Sequence, residues 1–213
     1  MSGRAQNLIT KIYSYTADKL YEPIVVRRAF PLLGGDLHDV VEEQGRRAVA
    51  AADGRPILDV PIGTAFYTVS MAADHDGLIV GADIAEGMVR RAKKVATDAA
   101  ADGLVNVLAD VHELPFATDS FGAVMCTNGL QVIPGLHGSA DEIARVLAPG
   151  GMLYCTVITL PASRLVGAAG RRLPTMLRSG LDVAEAFMGA GLHVTAIDRQ
   201  RLATSIEALK PPT

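Results

Sequence analysis

Short apolar runs recur along the chain with helical patterns between them: "ILDV" (57–60), "LIVGADI" (78–84), "VNVLADV" (105–111), "FGAVMCTNG" (121–129) and "GMLYCTVIT" (151–159). Each is too short for an amphipathic helix, and its lack of polar alternation marks a strand buried on both faces. Strands that alternate with helices impose a parallel sheet, because every crossover must return the chain across one face of it. The expected fold is therefore α/β, a mostly parallel sheet with helices on both faces.

The helices have legible sides and ends. In "EGMVRRAKKVATDAAA", Met88, Val89, Ala92, Val95, Ala96 and Ala99 recur at helical spacing, leaving Arg90, Arg91, Lys93 and Lys94 mostly outside as a solvated face. In "GSADEIARVLAPGG", Ser139 and Glu142 form a capping-box pattern, and Pro149 with two glycines is expected to end the helix. A further helix opens near Asp182 and stops around Gly191. The tail departs from this rhythm. "HVTAID" and "ATSIEALK" are separated only by "RQRL", too short for a crossover, so they are expected to pair as an antiparallel hairpin.

At 213 residues, 49% of them apolar, the chain suits one domain with one substantial core. The expected division is 1–52 as an N-terminal helical cap and flanking helix and 53–213 as the core, with a lid-like segment over 160–180. The formal charge of −3 and the scattered basic residues lack the footprint of a nucleic-acid or anionic-membrane binder. A small-molecule partner fits better, and a homodimer stays open. Neither a membrane span nor a signal-peptide pattern is evident, so a cytoplasmic protein is expected. Cys126 and Cys155 lie in apolar strands without zinc or redox spacing and read as buried free thiols; no residue is assigned as a metal ligand, and metal dependence stays open.

In an open α/β sheet the ligand sits beyond the carboxyl ends of the strands, where the strand order reverses. "DVPIGTA" is the first such end. Gly63 removes a Cβ that would obstruct close approach, and Thr64 and Ala65 keep the wall small. A dinucleotide fingerprint wants glycines at 61, 63 and 66, where the chain has Pro61, Gly63 and Phe66, so NAD is disfavoured. Asp83, at the end of the second strand, is placed to accept bonds from ribose hydroxyls, its competing role being a helix cap. Asp110, at the end of the third, is placed to receive an exocyclic amine such as adenine N6.

With "ILDVPIGTA", "VGADIAEGMVRRAKK", "NVLADVHELPFATDSFGAVMC", "TNGLQVIPG" and "ADEIARVLAPGGML" in order, the sequence resembles the class I S-adenosylmethionine-dependent methyltransferases. It is most similar to the small enzymes akin to the ubiquinone and menaquinone C-methyltransferases, over about residues 55–160. The resemblance implies a Rossmann-like, seven-stranded sheet with an antiparallel C-terminal strand, and S-adenosyl-L-methionine as cofactor with S-adenosyl-L-homocysteine as product. It implies that Asp59, Pro61, Gly63, Thr64 and Ala65 surround the methionine moiety, Asp83 holds the ribose, and Ile84 and Met88 flank the adenine. Asp110, Val111 and His112 would reach the adenine edge, with Asn128, Gly129 and Leu130 beneath the sulfonium. Pro61 and Ala65 replace glycines of the usual pattern, and Gly122 stands in an expected turn where an Asp is usual.

Methyl transfer is an in-line displacement, so much of its catalysis is positioning. A base is needed where the acceptor must lose a proton. His137, just past the fourth strand, is the candidate base, its competing reading being a surface histidine; His38 and His193 are expected farther from the chemistry. Tyr13, Tyr15 and Tyr21 of the N-terminal segment are candidates to close over the cofactor. Arg164, Arg171, Arg172 and Arg178, after the fifth strand, are candidates to bind the acceptor. The chain has no tryptophan and few other aromatics, which favours O-methylation of a sugar-like, weakly aromatic hydroxyl over C-methylation of a quinone or lipid-like acceptor. A non-catalytic S-adenosylmethionine-binding protein is the reading of another class.

Overall fold

A computed structural model describes residues 37–158, 178–200 and 203–212. Within them the chain runs α1 (Leu37–Ala52), β1 (Ile57–Asp59), α2 (Thr68–Met71), β2 (Ile79–Asp83), α3 (Glu86–Asp98), β3 (Leu104–Leu108), β4 (Phe121–Thr127), α4 (Leu136–Val146), β5 (Leu147–Ile158), α5 (Gly180–Gly189), β6 (His193–Gln200) and β7 (Ala203–Leu209). The strands form one seven-stranded sheet in the order β3-β2-β1-β4-β5-β7-β6. β3, β2, β1, β4 and β5 are parallel, while β7 runs antiparallel between β5 and β6. The expected closing hairpin is therefore β6–β7, with β7 inserted next to the parallel strands. Among the described residues, no helix is long and apolar enough to cross a membrane.

Strand alternation divides the interior into two cores. Ile57, Ile79, Ala123 and Met125 pack with α1, α2 and α3 on one face. Their neighbours Leu58, Val80, Val124 and Cys126 pack with α4 and α5 on the other. Successive strand side chains point to opposite faces, so a strand covered on both sides has to be apolar at every position. Cys126 and Cys155 are buried free thiols at paired positions of β4 and β5.

Three local expectations are corrected. Ser139 and Glu142 do not cap α4: the helix starts at Leu136 behind a left-handed Gly135 with no side-chain cap. Ser139 is instead buried against His112. Glu142 accepts the N–H of Leu114 at 2.7 Å and pairs with Arg145, which also donates to the carbonyls of Leu114 and Phe116. The pair pins the loop before β4 onto the helix, a tertiary use of the two residues that the local pattern does not contain. The true capping box opens α5, where Ser179 and Asp182 satisfy each other's backbone N–H groups. Pro149 and its glycines do not terminate a helix; α4 ends at Val146 and Leu147 already belongs to β5, paired with Phe121. Gly122 lies within β4 rather than in a turn, at a bulge where an added Cβ would come within 2.9 Å of the Ala52 carbonyl and 2.8 Å of Arg55.

Candidate functional site: a crevice at three strand ends

The sheet order reverses between β1 and β4, and a crevice opens there at the carboxyl ends of the strands. The turn after β1 forms its floor. The Val60–Pro61 peptide is cis, and Gly63 and Ala65 have positive φ, +58° and +61°. A Cβ at Gly63 would meet nothing within 4 Å, so the crevice stays open above it. Ala65 carries its methyl in a conformation that favours glycine, buried in the core behind the turn.

Two buried carboxylates organise this floor. Asp83 accepts the N–H of Ala85 at 2.9 Å and that of Gly63 at 3.0 Å, joining the end of β2 to the glycine turn. The residue in capping position for α3 is Ala85, so Asp83 is tied to the turn as well as to the helix start. Burial pushes the Asp83 carboxyl up to about 6, against the bonds from Ala85, Gly63 and Ile84 that favour its charge. Burial likewise raises Asp59 to about 7, opposed by the hydrogen bond from the Thr68 hydroxyl and assisted by the neighbouring charge of Asp83.

Of the residues expected at the site, Asp59, Pro61, Gly63, Thr64, Asp83, Ile84, Met88, Asp110, Val111, His112, Asn128 and Gly129 line this crevice. Ala65 and Leu130 lie behind it in the core. His137 is exposed on the first turn of α4 and is not among the lining residues. Tyr13, Tyr15, Tyr21, Arg164, Arg171 and Arg172, like most of the cap and lid-like segments, lie outside the described residues. Arg178 is half-buried, and its backbone N–H donates to the Gln131 carbonyl at 3.4 Å.

The wall also includes residues that sequence reasoning passed over: Phe66 and Tyr67, just past the turn, and Val132, Ile133 and Pro134 of the loop after β4. Phe66 and Tyr67 meet edge to face with centroids 5.0 Å apart, and His38 of α1 packs against both. The Tyr67 hydroxyl and His38 Nδ1 are 2.7 Å apart. Only the "FY" dipeptide signalled this cluster; its partner lies 29 residues earlier.

The residues present fit an S-adenosyl ligand. Asp59 Oδ1 and both amide atoms of Asn128 are buried without a hydrogen-bond partner in the wall of the crevice, and such groups are stable when a ligand satisfies them. A carboxylate and an amide at the β1 and β4 ends suit an ammonium and a carboxylate. Asp83 retains acceptor capacity for two ribose hydroxyls, and the apolar Ile84 and Met88 suit the faces of a base.

Fold and site together define a class I S-adenosylmethionine-dependent methyltransferase, and the chain belongs to that family. The methyltransferase domain family matches residues 58–155. Demethylmenaquinone methyltransferase of Mycobacterium sp. (strain JLS) is 30% identical over 167 residues, 76% of this chain and 69% of that protein. The enzyme of the same name from Staphylococcus saprophyticus is 30% identical over 134 residues, 62% of this chain and 57% of that protein. The chain spans about half the length of several such relatives. In fold it is similar to a chain of the Haloferax volcanii complex between the Trm112 methyltransferase activator and a methyltransferase. That match has TM-score 0.73 and 19% identity, covering 93% of this chain and 97% of the other.

Proposed function

We propose that the chain transfers a methyl group from S-adenosylmethionine to a small, largely apolar acceptor. The observation that carries this reading is the division of the crevice. Asp59, Asp83, Asp110 and the unpartnered Asn128 amide supply polar groups at four strand ends, while Phe66, Tyr67, Val132, Ile133 and Pro134 supply an apolar wall. S-adenosylmethionine, when bound, supplies a methyl carbon activated by the adjacent positive sulfur. Asp59 and Asn128 would hold its amino-acid end, Asp83 its ribose and Asp110 its adenine edge. The apolar wall would exclude water and hold the acceptor in line, which is where most of the rate enhancement of a displacement comes from.

The curated relatives act, by name, on demethylmenaquinone, and the apolar wall supports a ring acceptor methylated at carbon. Taking a hydroxyl proton from a reduced ring makes the ring carbon nucleophilic. A second reading, O-methylation of a sugar-like hydroxyl, needs the same proton removed at the oxygen that accepts the methyl. We propose two residues for that step. His137 stands on the first turn of α4, and Tyr67 lies on the crevice wall with His38 behind its hydroxyl.

Calorimetric titration with S-adenosylmethionine, S-adenosylhomocysteine and NADH tests the cofactor, with micromolar binding of the adenosyl ligands and none of NADH expected. Methyl-carbon-13-labelled S-adenosylmethionine, incubated with a naphthohydroquinone or a sugar, then tests the acceptor. The carbon shift of the product methyl separates carbon from oxygen attachment. Cofactor binding without turnover on any acceptor would favour a non-catalytic binding protein. Full turnover by His137→Ala with loss in Tyr67→Phe would assign the base to the crevice wall.

A further inference from the structure

His112 stands in "ADVHELPF" at the end of β3, and its ring makes more contacts than the edge of a cofactor site requires. Nδ1 lies 2.6 Å from Asp110 Oδ1, and Nε2 lies 2.8 Å from the carbonyl oxygen of Pro134 and 3.1 Å from Ser139 Oγ. The backbone N–H of His112 donates to the same Asp110 oxygen at 3.0 Å. Room for the ring comes from glycines. A Cβ at Gly135, whose φ is +69°, would come within 3.0 Å of Nε2, and one at Gly138 within 3.5 Å of Cδ2. The ring thus bridges the turn after β3, the loop after β4 and the first turns of α4.

The oxygens at its two nitrogens bear on how many protons the ring holds. A carboxylate and a peptide carbonyl both only accept, and a neutral imidazole has a single N–H to offer. Both bonds form only when the ring carries two protons, and the bond to Asp110 is then charge-assisted. Loss of either proton turns a lone pair towards an oxygen less than 3 Å away. We propose that His112 is a positioning residue, a protonation-dependent clasp. As an imidazolium it holds the loop 128–135 onto the turn 110–113 and so sets the separation of the two crevice walls; neutral, it lets the loop go.

Asp110 is the carboxylate that meets the ring. Glu113 of the same turn is exposed, and so are His137 and Asp141 on α4, whereas Glu142 on that helix is engaged with Arg145 and the Leu114 N–H. The loop from Asn128 to Pro134 has no charged side chain. Ser139, fully buried, follows the ring's state, accepting from Nε2–H or donating to its lone pair. The effect on ligand binding rests on the methyltransferase reading; the clasp itself does not.

Two measurements on the ligand-free wild-type chain test the clasp directly. Nitrogen-15 spectra should show protons on both ring nitrogens of His112, assigned by their loss in His112→Gln. Hydrogen exchange, corrected for intrinsic rates, should show residues 128–135 losing protection as the pH is raised and that ring deprotonates. In His112→Gln, protection of this segment should be lower and independent of pH over the same range. In Ser139→Ala, which keeps both acceptor oxygens, the pH dependence should persist. A singly protonated His112 ring while the loop is protected, or the same pH dependence in His112→Gln, would overturn the proposal. On the methyltransferase reading, His112→Gln should also weaken S-adenosylhomocysteine binding about tenfold, as for one lost charge-assisted bond. Wild-type protein that fails to bind S-adenosylhomocysteine while showing the doubly protonated ring would sink the cofactor reading and leave the clasp standing.

Discussion

A methyl group added at Gly129 would sit 2.3 Å from Cγ and 2.4 Å from Cδ of Pro61. The proline that displaces a glycine from the first turn therefore relies on a glycine at the end of the fourth strand, and the two positions work as a pair. Gly129→Ala forces Pro61 into the crevice or pushes the loop after β4 outwards. Overpacking of this kind costs about 1–3 kcal/mol, so chemical denaturation should show that loss and calorimetry a weakened affinity for S-adenosylhomocysteine. Asp83→Ala removes an acceptor of two backbone N–H groups as well as the proposed ribose partner. Its affinity should fall by at least about tenfold; an unchanged affinity would remove Asp83 from the site. Residue by residue, the acids at strand ends were legible because their positions follow from where apolar runs stop. The Pro61–Gly129 contact was not, since 68 residues separate partners that only strand order brings together.

The elements divide along the same line. Alternation of apolar runs with helical stripes announced five parallel strands, and the short spacer announced the hairpin, because both patterns are local and their periods differ. Boundaries set by tertiary contacts were hidden. The Ser139–Glu142 spacing matches a cap, but Glu142 is spent on Leu114 and Arg145, and α4 begins three residues before Ser139. This contrast is measurable. Ser179→Ala breaks the true capping box of α5 at an exposed position and should cost about 1 kcal/mol. Glu142→Ala leaves the Leu114 N–H without its acceptor and strips the Arg145 guanidinium of its carboxylate, leaving it the Leu114 and Phe116 carbonyls, and should cost more, about 1–3 kcal/mol. Equal losses in urea unfolding would mean that the loop before β4 does not depend on this pair.

At the scale of the whole molecule, the site sets a cost that global stability can report. Asp59 and Asp83 are pushed up to about 7 and about 6, chiefly by burial, so between the unfolded value of 3.8 and these values the folded chain binds more protons than the unfolded one. Stability then falls as pH rises through that window, the reverse of a salt-bridged carboxylate. At about 1.4 kcal/mol per unit, Asp59 alone contributes on the order of 3–4 kcal/mol of lost stability by neutral pH. Glu142, held low mainly by its hydrogen bond to Arg145, acts oppositely and loses its contribution as pH falls through the acid range. The two effects separate by mutation. Asp59→Asn keeps an acceptor for the Thr68 hydroxyl but cannot ionise, so its unfolding free energy should decline much less than that of the wild type between pH 4 and pH 7, a range taken from these values. S-adenosylhomocysteine, at one fixed concentration that is about a hundred times its dissociation constant at neutral pH, should restore about 2.7 kcal/mol there. With its ammonium beside Asp59, as proposed, the ligand would favour the charged carboxylate, so the restoration should grow with pH in the wild type and change much less in Asp59→Asn. Parallel pH profiles for the two proteins would show that Asp59 is not the group that burial strains, and that the polar end of the crevice is held open by something else.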